Sequence, residues 1–300
     1  MGKMRDKTLT EYFRQAVDSA KERKERGFPD FATGLSFIDE VTDGMHKGEL
    51  WIVAGKSGSG KTNLTLQLAK SFSDNPEHTI LFISLEMKGS ELLTRMFCEF
   101  INWDTSEFIK GNLPTDFKEK EKRFNEYLKT IDMEIAEHKG YVFSDLISII
   151  KEGYPEKRPD IIMLDFIQLI EKKGFKDERH ALEAYVRKLK ELANVYNIGI
   201  VLISQLRRLP SGSDYNREPD MMDLLGTGSL EQMADKVMLI YKAKDKTGKI
   251  LNFIKLAKNR QGEKVKREVI FEGRYSRFKE IEVPKEVSDI QKEFGGKLWI

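Results

Sequence analysis

Short apolar runs alternate with amphipathic stretches along most of the chain. The candidate strands are Leu50–Ala54, Thr79–Ser84, Asp160–Leu164 and Ile198–Ser204, and helical periodicity occurs near 61–73, 89–102, 117–130, 144–152 and 179–196. Strand runs that are apolar throughout and alternate with helices are typical of βαβ units around a parallel sheet. The pattern therefore predicts an α/β fold with a mostly parallel sheet.

The pattern changes after residue 235. Three strand-like runs, Lys236–Tyr241, Ile250–Ala257 and Val265–Phe271, follow one another with short turns between them. Runs that are joined by short turns are typical of hairpins. This segment predicts an antiparallel extension of the same sheet.

An amphipathic helix is predicted before the alternating pattern begins. Thr8 and Glu11 have the spacing of a capping box, and apolar residues then recur at helical spacing. The charged stretch 21–26 is followed by Gly27 and Pro29, which end the helix. The apolar face has to be buried either on its own domain or on a neighbouring subunit, and the residues alone leave both options open.

These patterns divide the chain into three parts. We expect an N-terminal arm with the amphipathic helix at 1–29, one α/β domain at 30–280, and a C-terminal tail at 281–300. The tail carries apolar residues, which suggests a docked segment or a partner peptide.

Composition narrows the class of protein. The 300 residues are 40% hydrophobic and carry 51 Lys and Arg against 49 Asp and Glu, a formal charge of +2. This composition excludes disorder of the whole chain and a strongly basic coat for nucleic acid. The basic residues are concentrated late, since 242–280 holds 13 Lys and Arg and 5 Asp and Glu.

The apolar runs are too short for a membrane span, and the N-terminus lacks the apolar segment of a signal peptide. The one cysteine, Cys98, cannot form an internal disulfide and fits a buried side chain in a reducing compartment. We therefore expect a cytoplasmic protein without a membrane partner.

The strongest motif lies between the first predicted strand and the helix that follows it. Residues 55–62 read Gly-Lys-Ser-Gly-Ser-Gly-Lys-Thr and fit the phosphate-binding pattern G-x-x-x-x-G-K-[ST]. Glycines let backbone N–H groups surround a phosphate chain. The expected nucleotide-binding residues are Gly55, Ser57, Gly58, Ser59, Gly60, Lys61 and Thr62. Lys61 would reach the β- and γ-phosphates of ATP, and the Thr62 hydroxyl would ligate Mg²⁺.

Three polar residues follow predicted strands. Asp165 fits a Walker B carboxylate that holds Mg²⁺. Glu86 is our candidate for the base that activates water, because ligands of α/β sheets bind beyond the carboxyl ends of the strands. Gln205 could sense the γ-phosphate. From the residues alone, each could instead be a solvated turn or helix-start residue.

Two cations, Lys258 and Arg260, follow the strand predicted at 250–257. At a hairpin tip they could reach the phosphates of a nucleotide on a neighbouring subunit and stabilise transition-state charge. From spacing alone, a solvated basic turn is the better interpretation.

Taken together, the motifs resemble the RecA-like motor domain of the DnaB-like family of hexameric replicative helicases. The resemblance runs from about Ala32 to Phe278. The segments that carry it are Thr33–Asp39, the phosphate loop, Ser84–Met87, Asn102–Asp104, Gly111–Leu113, Leu164–Ile170, Ser204–Arg208, Gly228–Asp235 and Lys258–Arg260 with Gly262. It implies a RecA-like P-loop NTPase core that is preceded by a linker helix.

The resemblance also implies roles for individual residues. Glu86 would activate water, and Gln205 would couple the γ-phosphate to the DNA-binding loops. Lys258 and Arg260 would act in trans on the next subunit's site, which implies a homo-oligomeric ring, a hexamer in this family. The helix at 8–26 would then dock on the adjacent motor domain. The implied activity is ATP-driven translocation on single-stranded DNA with unwinding of duplex, and a primase or loader is an expected partner.

The sequence departs from the family pattern in two places. Members usually carry a large N-terminal domain before the linker helix, whereas about 30 residues precede the motor here, which suggests a compact viral or mobile-element version. Leu225 and Gly226 stand where the family has Arg and Glu, so the usual contact of that segment with the DNA backbone is missing.

Other basic residues could supply that contact. The candidates are Lys172, Lys173 and Lys176 after the Walker B strand, and Arg207, Arg208 and Arg217 after Gln205. In RecA-like rings both loops face the central channel, and binding through phosphate neutralisation would be non-specific and salt-dependent. The alternative is that both loops are flexible and solvated.

Two other functions stay open. A RecA-like recombinase or circadian-clock ATPase shares the opening motif and the phosphate loop but not the later motifs. An assembly or loader factor that uses ATP without unwinding is favoured by the altered segment at 223–228.

Overall fold

The computed structural model of the protein describes residues 8–27, 29, 31–137, 143–152, 158–169, 177–207, 217–224 and 227–281. Several residues named above lie outside this part of the chain: residues 1–7 and 28 of the predicted arm, Ile170, Lys172, Lys173, Lys176, Arg208, Leu225, Gly226 and all of the predicted tail except Ile281.

The described strands form one sheet. They are β1 (Leu50–Gly55), β2 (Thr79–Ser84), β3 (Asp132–Glu137), β4 (Ile161–Asp165), β5 (Gly199–Gln205), β6 (Lys236–Lys244), β7 (Ile250–Asn259), β8 (Lys266–Glu272) and β9 (Arg277–Glu280). Their order across the sheet is β3-β2-β4-β5-β1-β6-β7-β8-β9. The strands from β3 to β6 in this order are parallel, and β7, β8 and β9 are added antiparallel.

The predicted mostly parallel sheet with an antiparallel extension is confirmed, with one correction. The sequence pattern assigns the run that begins at Lys236 to the extension, but β6 pairs parallel with β1. The extension begins only at β7, which pairs antiparallel with β6. A helix precedes β6 in the chain, and a strand that returns after a helical crossover joins its neighbour in parallel.

Helices cover both faces of this sheet. The described helices are α1 (Leu9–Arg26), α2 (Ser36–Thr42), α3 (Lys61–Phe72), α4 (Gly89–Ile101), α5 (Thr105–Ile109), α6 (Phe117–Leu128), α7 (Phe143–Glu152), α8 (Glu178–Tyr196) and α9 (Thr227–Met233). Side chains of β1 alternate between two cores: Trp51 and Val53 join the core of α3 and α4, whereas Ile52 and Ala54 join that of α8. Because β1 is buried on both faces, it lies at the centre of the domain.

The N-terminal helix α1 has the predicted cap but leaves its apolar side chains exposed. The Thr8 amide donates to Glu11 Oε2 at 2.7 Å, and the Glu11 amide donates to Thr8 Oγ1 at 3.2 Å. Leu9 and Phe13 are 88% and 71% exposed. The option that this face packs on its own domain is therefore not observed.

None of the helices in the described ranges combines the length and the apolarity that crossing a membrane would require. Cys98 is buried, as expected.

Candidate active site

The phosphate loop forms a backbone cradle between β1 and α3. Gly58 and Gly60 have φ of +72° and +92°, values that L side chains rarely adopt. A Cβ on Gly55 would clash with the Ser59 hydroxyl and lie 2.9 Å from the carbonyl oxygen of Ile240. No side chain caps α3 at Gly60. The uncapped amides at the start of this helix fit an anion such as a phosphate chain.

Two oxygen ligands meet beside the cradle. The Thr62 hydroxyl donates to Asp165 Oδ2 at 2.8 Å, which joins the first turn of α3 to the end of β4. A hydroxyl and a carboxylate oxygen are ligands that Mg²⁺ accepts, usually with water and phosphate oxygens completing its shell. The donor set therefore fits a magnesium–nucleotide complex held by Thr62 and Asp165.

Glu86 lies next to this pair because of how β2 ends. Ser84 pairs with Asp165 in register, and the Leu85 amide donates to the Asp165 carbonyl at 2.7 Å. The Ser84 hydroxyl donates to the Met87 carbonyl at 2.7 Å and accepts from the Met87 amide at 3.2 Å. These bonds close a tight turn that presents Glu86 at the carboxyl end of the sheet.

The charges of these residues act on one another. Burial raises the pKa of Asp165 to about 6, and the charge of Glu86 adds to this, against the lowering effect of the Thr62 hydrogen bond and of Lys61. Burial lowers the pKa of Lys61, although both carboxylates oppose the shift. A buried carboxylate whose ionisation is opposed by a neighbouring negative charge favours a bound cation.

Gln205 ends β5 beside the phosphate loop. It pairs in register with Gly55, and the next amide, that of Leu206, donates to the Gly55 carbonyl at 3.3 Å. The preceding residue, Ser204, accepts a 2.8 Å hydrogen bond from Gln168 Nε2. The ends of β4 and β5 are thereby tied together directly behind Gln205.

A cavity of about 660 Å³ brings the predicted residues together. Its lining includes Ser57, Gly58, Gly60, Lys61, Thr62, Glu86 and Gln205. The lining also includes residues that were not predicted from the sequence, among them Asn63, Glu91, Thr94 and Arg95. Arg95 Nη1 donates to Asn63 Oδ1 at 2.6 Å. The spacing of Glu91, Thr94 and Arg95 on α4, directly after Glu86, is the signal that could have found them, since i, i+3 and i+4 share a helix face.

Lys258 and Arg260 do not line this cavity. Lys258 pairs with Val237 near the start of β6, and the Arg260 amide donates to the Asp235 carbonyl at 3.0 Å. The Asp235 amide donates to the carbonyl of Leu50, the first residue of β1. Arg260 therefore lies at the amino edge of the parallel strands. The length of β1, about 17 Å, separates this edge from the phosphate loop of the same subunit.

Of the expected DNA-binding residues, Arg207 and Arg217 belong to the described part of the chain. The Arg207 amide donates to the Asp223 carbonyl at 2.7 Å, next to an antiparallel bridge between Leu206 and Leu224. Arg217 is 2.5 Å from Asp223 Oδ1 and 3.8 Å from Asp220 Oδ2. The backbones of Arg207 and Asp223 are thus joined at the carboxyl end of β5, and Arg217 is engaged by two acids, Asp220 and Asp223.

The comparison with protein families decides what this domain is. The family described as DnaB-like helicase C terminal domain matches residues 30–280. The chain belongs to this family. Membership implies that the DnaB-like domain uses a nucleotide, in agreement with the cradle at 55–62.

Relatives and solved structures agree with this assignment. The chain is 26% identical over 279 residues to the replicative DNA helicase DnaB of Pasteurella multocida, covering 90% of this chain and 59% of that protein. It is similar in fold to a solved ATPase domain, with a TM-score of 0.79, 22% identity and coverage of 92% of this chain and 100% of that one. It is also similar to a structure of a DnaB-like replicative helicase and its interactions with primase, with a TM-score of 0.76, 23% identity and coverage of 92% and 68%.

These likenesses confirm the predicted RecA-like fold of the DnaB-like domain. The chain spans less than two thirds of the length of the curated relatives it matches.

Proposed function

We propose that the chain is the motor of an ATP-dependent replicative DNA helicase that moves along single-stranded DNA as a ring hexamer. The observation that carries the proposal is that the candidate site residues lie at two opposite edges of the sheet. Lys61, Thr62, Glu86 and Gln205 meet at the carboxyl edge, with Asp165 bonded to Thr62, whereas Arg260 is held at the amino edge. A head-to-tail ring would bring the amino edge of one subunit against the carboxyl edge of the next.

Each residue has a separate task in hydrolysis of ATP. The backbone of Gly55, Ser57, Gly58, Ser59 and Gly60 cradles the phosphates, with Lys61 beside them. Thr62 and Asp165 would hold Mg²⁺, which when bound would neutralise charge on the phosphate oxygens. Glu86 orients the attacking water and accepts its proton, and Gln205 detects the γ-phosphate.

The two remaining cations complete the site of a neighbour. Lys258 and Arg260 of one subunit approach the γ-phosphate bound by the next, where the guanidinium stabilises charge in the transition state. The amphipathic helix α1 docks on that neighbouring domain, which would cover the apolar side chains it leaves exposed.

DNA would be held by the basic loops after β4 and β5. The residues we assign to this contact are Lys172, Lys173, Lys176, Arg207, Arg208 and Arg217. We infer a primase or a loader as a protein partner, because one solved DnaB-like helicase interacts with primase. Because the bacterial relatives are named replicative DNA helicases, we infer that this protein works in the cytoplasm.

The test combines mass, hydrolysis and unwinding. Purified protein with Mg²⁺ and ATP should form a hexamer, hydrolyse ATP faster when single-stranded oligonucleotide is added, and separate a forked duplex. Oligonucleotide binding should weaken steeply between low and physiological salt. Strand exchange on open filaments would indicate a recombinase instead, and a DNA-independent ATPase that does not translocate would indicate a loader or assembly factor.

A further inference from the structure

Asp235 contacts the turn that carries Arg260 through both its backbone and its side chain. The backbone carbonyl of Asp235 accepts from the Arg260 amide at 3.0 Å, and Asp235 Oδ1 lies 3.4 Å from Arg260 Nη1. The Asp235 side chain is only 9% exposed, whereas that of Arg260 is 66% exposed. One residue therefore fixes both the backbone and the guanidinium of an arginine that otherwise projects into solvent.

The other oxygen of this carboxylate is anchored to the sheet. Asp235 Oδ2 accepts from the Leu50 amide at 2.8 Å and from Lys190 Nζ at 2.6 Å. Lys190 Nζ also donates to the carbonyl of Gly48 at 2.8 Å. Because three donors from β1, α8 and the turn after β7 share one carboxylate, the carboxylate has little freedom to move.

The second cation of the pair is held by the segment that leads to Asp235. Lys258 Nζ donates to the Glu231 carbonyl at 2.6 Å and reaches the Gln232 carbonyl at 3.4 Å. These carbonyls lie in the last turn of α9, the end of a helix that attracts cations. Residues 231–235 thus form one platform for both Lys258 and Arg260.

We propose that Asp235 is the positioning residue of the arginine finger. It holds the Arg260 turn on the amino edge of its own subunit, so that the guanidinium is presented to the nucleotide of the next. An arginine has many rotamers and a planar fork of five donors, of which the contact with Asp235 uses one. If the guanidinium is held in a narrow range of orientations, less conformational entropy is lost when it contacts the γ-phosphate in the transition state. This inference rests on the proposed shared site.

The variant Asp235→Asn tests the carboxylate's charge. It keeps an oxygen that can accept from the Leu50 amide, but it removes the charge that faces Arg260 and Lys190. We expect kcat for ATP hydrolysis to fall at least tenfold, with KM for ATP nearly unchanged and the hexamer intact. An unchanged hydrolysis rate would overturn the proposal. So would a higher rate, because it would mean that Asp235 keeps Arg260 away from the nucleotide of the next subunit.

Asp160→Asn is the matched control. Asp160 also precedes a strand at the amino edge, where it accepts from Lys47 Nζ at 2.5 Å and from the Thr79 amide at 2.9 Å. Its contacts resemble those of Asp235 except that it does not touch the finger, so this variant should keep its ATPase rate. An equal loss of ATPase rate in both variants would mean that any change at the amino edge destabilises it, and would contradict a specific role of Asp235 in positioning Arg260.

Rings that contain two different variants distinguish two explanations for a loss of activity. Either Asp235 positions Arg260 for the next subunit, or its replacement damages the nucleotide site of its own subunit. Lys61→Ala subunits have a defective phosphate loop and an intact finger, whereas Asp235→Asn subunits have the reverse. Co-expressed and assayed for hydrolysis without DNA, where no movement along a strand has to pass from site to site, they should regain up to about a quarter of wild-type hydrolysis, the share of interfaces that random assortment makes complete. Asp235→Asn mixed with Arg260→Ala should stay inactive, because both lack a working finger.

The mixture of Lys61→Ala with Arg260→Ala tests the shared site itself. If that pair fails to regain activity, the trans site is wrong and the role of Asp235 falls with it. If that pair regains activity and the pair of Lys61→Ala with Asp235→Asn does not, only the role of Asp235 is overturned. Should Asp235→Asn fail to assemble, Asp235→Glu, which keeps the charge but displaces it by one methylene, replaces it in the same mixtures with the same expected outcomes.

Discussion

Glu86 and Asp165 share a small space but are held differently. Asp165 is almost fully buried and bonded to Thr62, whereas Glu86 is exposed at the end of a turn. A buried carboxylate whose pKa is raised to about 6 is suited to a cation, which offsets the cost of burying its charge. An exposed carboxylate that keeps contact with water is suited to orient a water molecule. The two acids therefore have different tasks because of their surroundings.

We expect Glu86→Gln to abolish hydrolysis while nucleotide binding is retained. The amide preserves the size of the side chain but cannot accept a proton, so the rate should fall by about 10²–10⁴-fold. Single-turnover hydrolysis and titration with a fluorescent ATP analogue measure the two properties separately. Glu91→Gln, which alters another carboxylate in the same cavity, is the control and should keep most of the rate. Full ATPase activity in Glu86→Gln would refute the base assignment.

Glu218 neutralises two lysines that would otherwise repel each other. Lys255 and Lys266 stand directly opposite on β7 and β8, and Glu218 contacts them at 2.6 Å and 2.8 Å. Like charges in directly opposite positions destabilise a pair of strands. Burial alone would raise the pKa of Glu218, but the hydrogen bonds from both lysines outweigh it and lower the pKa to about 2.

This pKa predicts a pH-dependent stability. Since the folded pKa lies below the ordinary value of 4.5, the stabilisation is present above pH 4.5 and is lost as the pH falls towards 2. Glu218→Gln should lower the free energy of unfolding at pH 7 by on the order of 1 kcal/mol, after allowance for solvent screening. Urea unfolding at pH 7 and pH 4 should show the difference between wild type and variant shrinking at the lower pH. Glu268→Gln, at an exposed position on β8, is the control, and a difference that does not change with pH would contradict the prediction.

At the scale of elements, α1 is a helix with a well-formed start and no partner surface among the described residues. Because its apolar side chains are exposed, they contribute little to the free energy of folding of their own domain. Replacing Leu9 and Phe13 together by Ser should leave the free energy of unfolding of the domain within about 0.5 kcal/mol. Assembly should shift towards smaller species if α1 docks on a neighbour, because the lost apolar area would have been buried there.

Light scattering and urea unfolding measure the two effects on α1. The matched control is Arg14→Ser with Lys21→Ser, which changes two polar positions of the same helix. Assembly that is equally strong in both double variants would refute docking through the apolar face.

The sequence predicted elements where apolar periodicity was strong and failed where it was weak. The bounds of β2 were predicted to the residue, and those of α4 and α8 to within one, because their apolar positions are buried. The edge strand β3 was missed, since its residues are mostly half-buried and alternate with acids. The short strand β9 was also missed, since Phe278 is its single buried residue.

The site was predictable to a similar extent. The loop at 55–62 and the strand-end residues Glu86, Asp165 and Gln205 follow from motif and strand polarity, and the structure brings them together. Arg95 belongs to no such motif: its spacing on α4 after Glu86 marks it only as a candidate, and its place in the cavity depends on how α4 packs against α3. The anchoring of Arg260 by Asp235 was equally inaccessible, since the two residues are 25 positions apart and meet through the register of β6 and β7.

At the scale of the whole molecule, the charge pattern and the topology agree. The chain is nearly neutral, but the segment 242–280 has an excess of eight positive charges and forms most of the strands from β6 to β9. This basic segment includes Lys258 and Arg260 at the edge opposite the phosphate loop. In a head-to-tail ring, Lys258 and Arg260 at the amino edge would face the nucleotide of the next subunit, whose phosphates attract them electrostatically.

A ring that moves along DNA with shared sites should be sensitive to a few defective fingers. Each Arg260→Ala subunit disables the site of its neighbour, and movement that passes from site to site is interrupted at that point. If one subunit in six carries the change and assortment is random, only about a third of hexamers contain none. The DNA-stimulated ATPase rate should therefore fall more steeply than the fraction of variant protein, as measured over a series of mixing ratios.

Mixing with Arg274→Ala is the control and should leave the rate unchanged. Arg274 is a basic residue of the same C-terminal region, and its side chain is 81% exposed. A response to Arg260→Ala that is linear in the mixing ratio would argue against coordinated, shared sites.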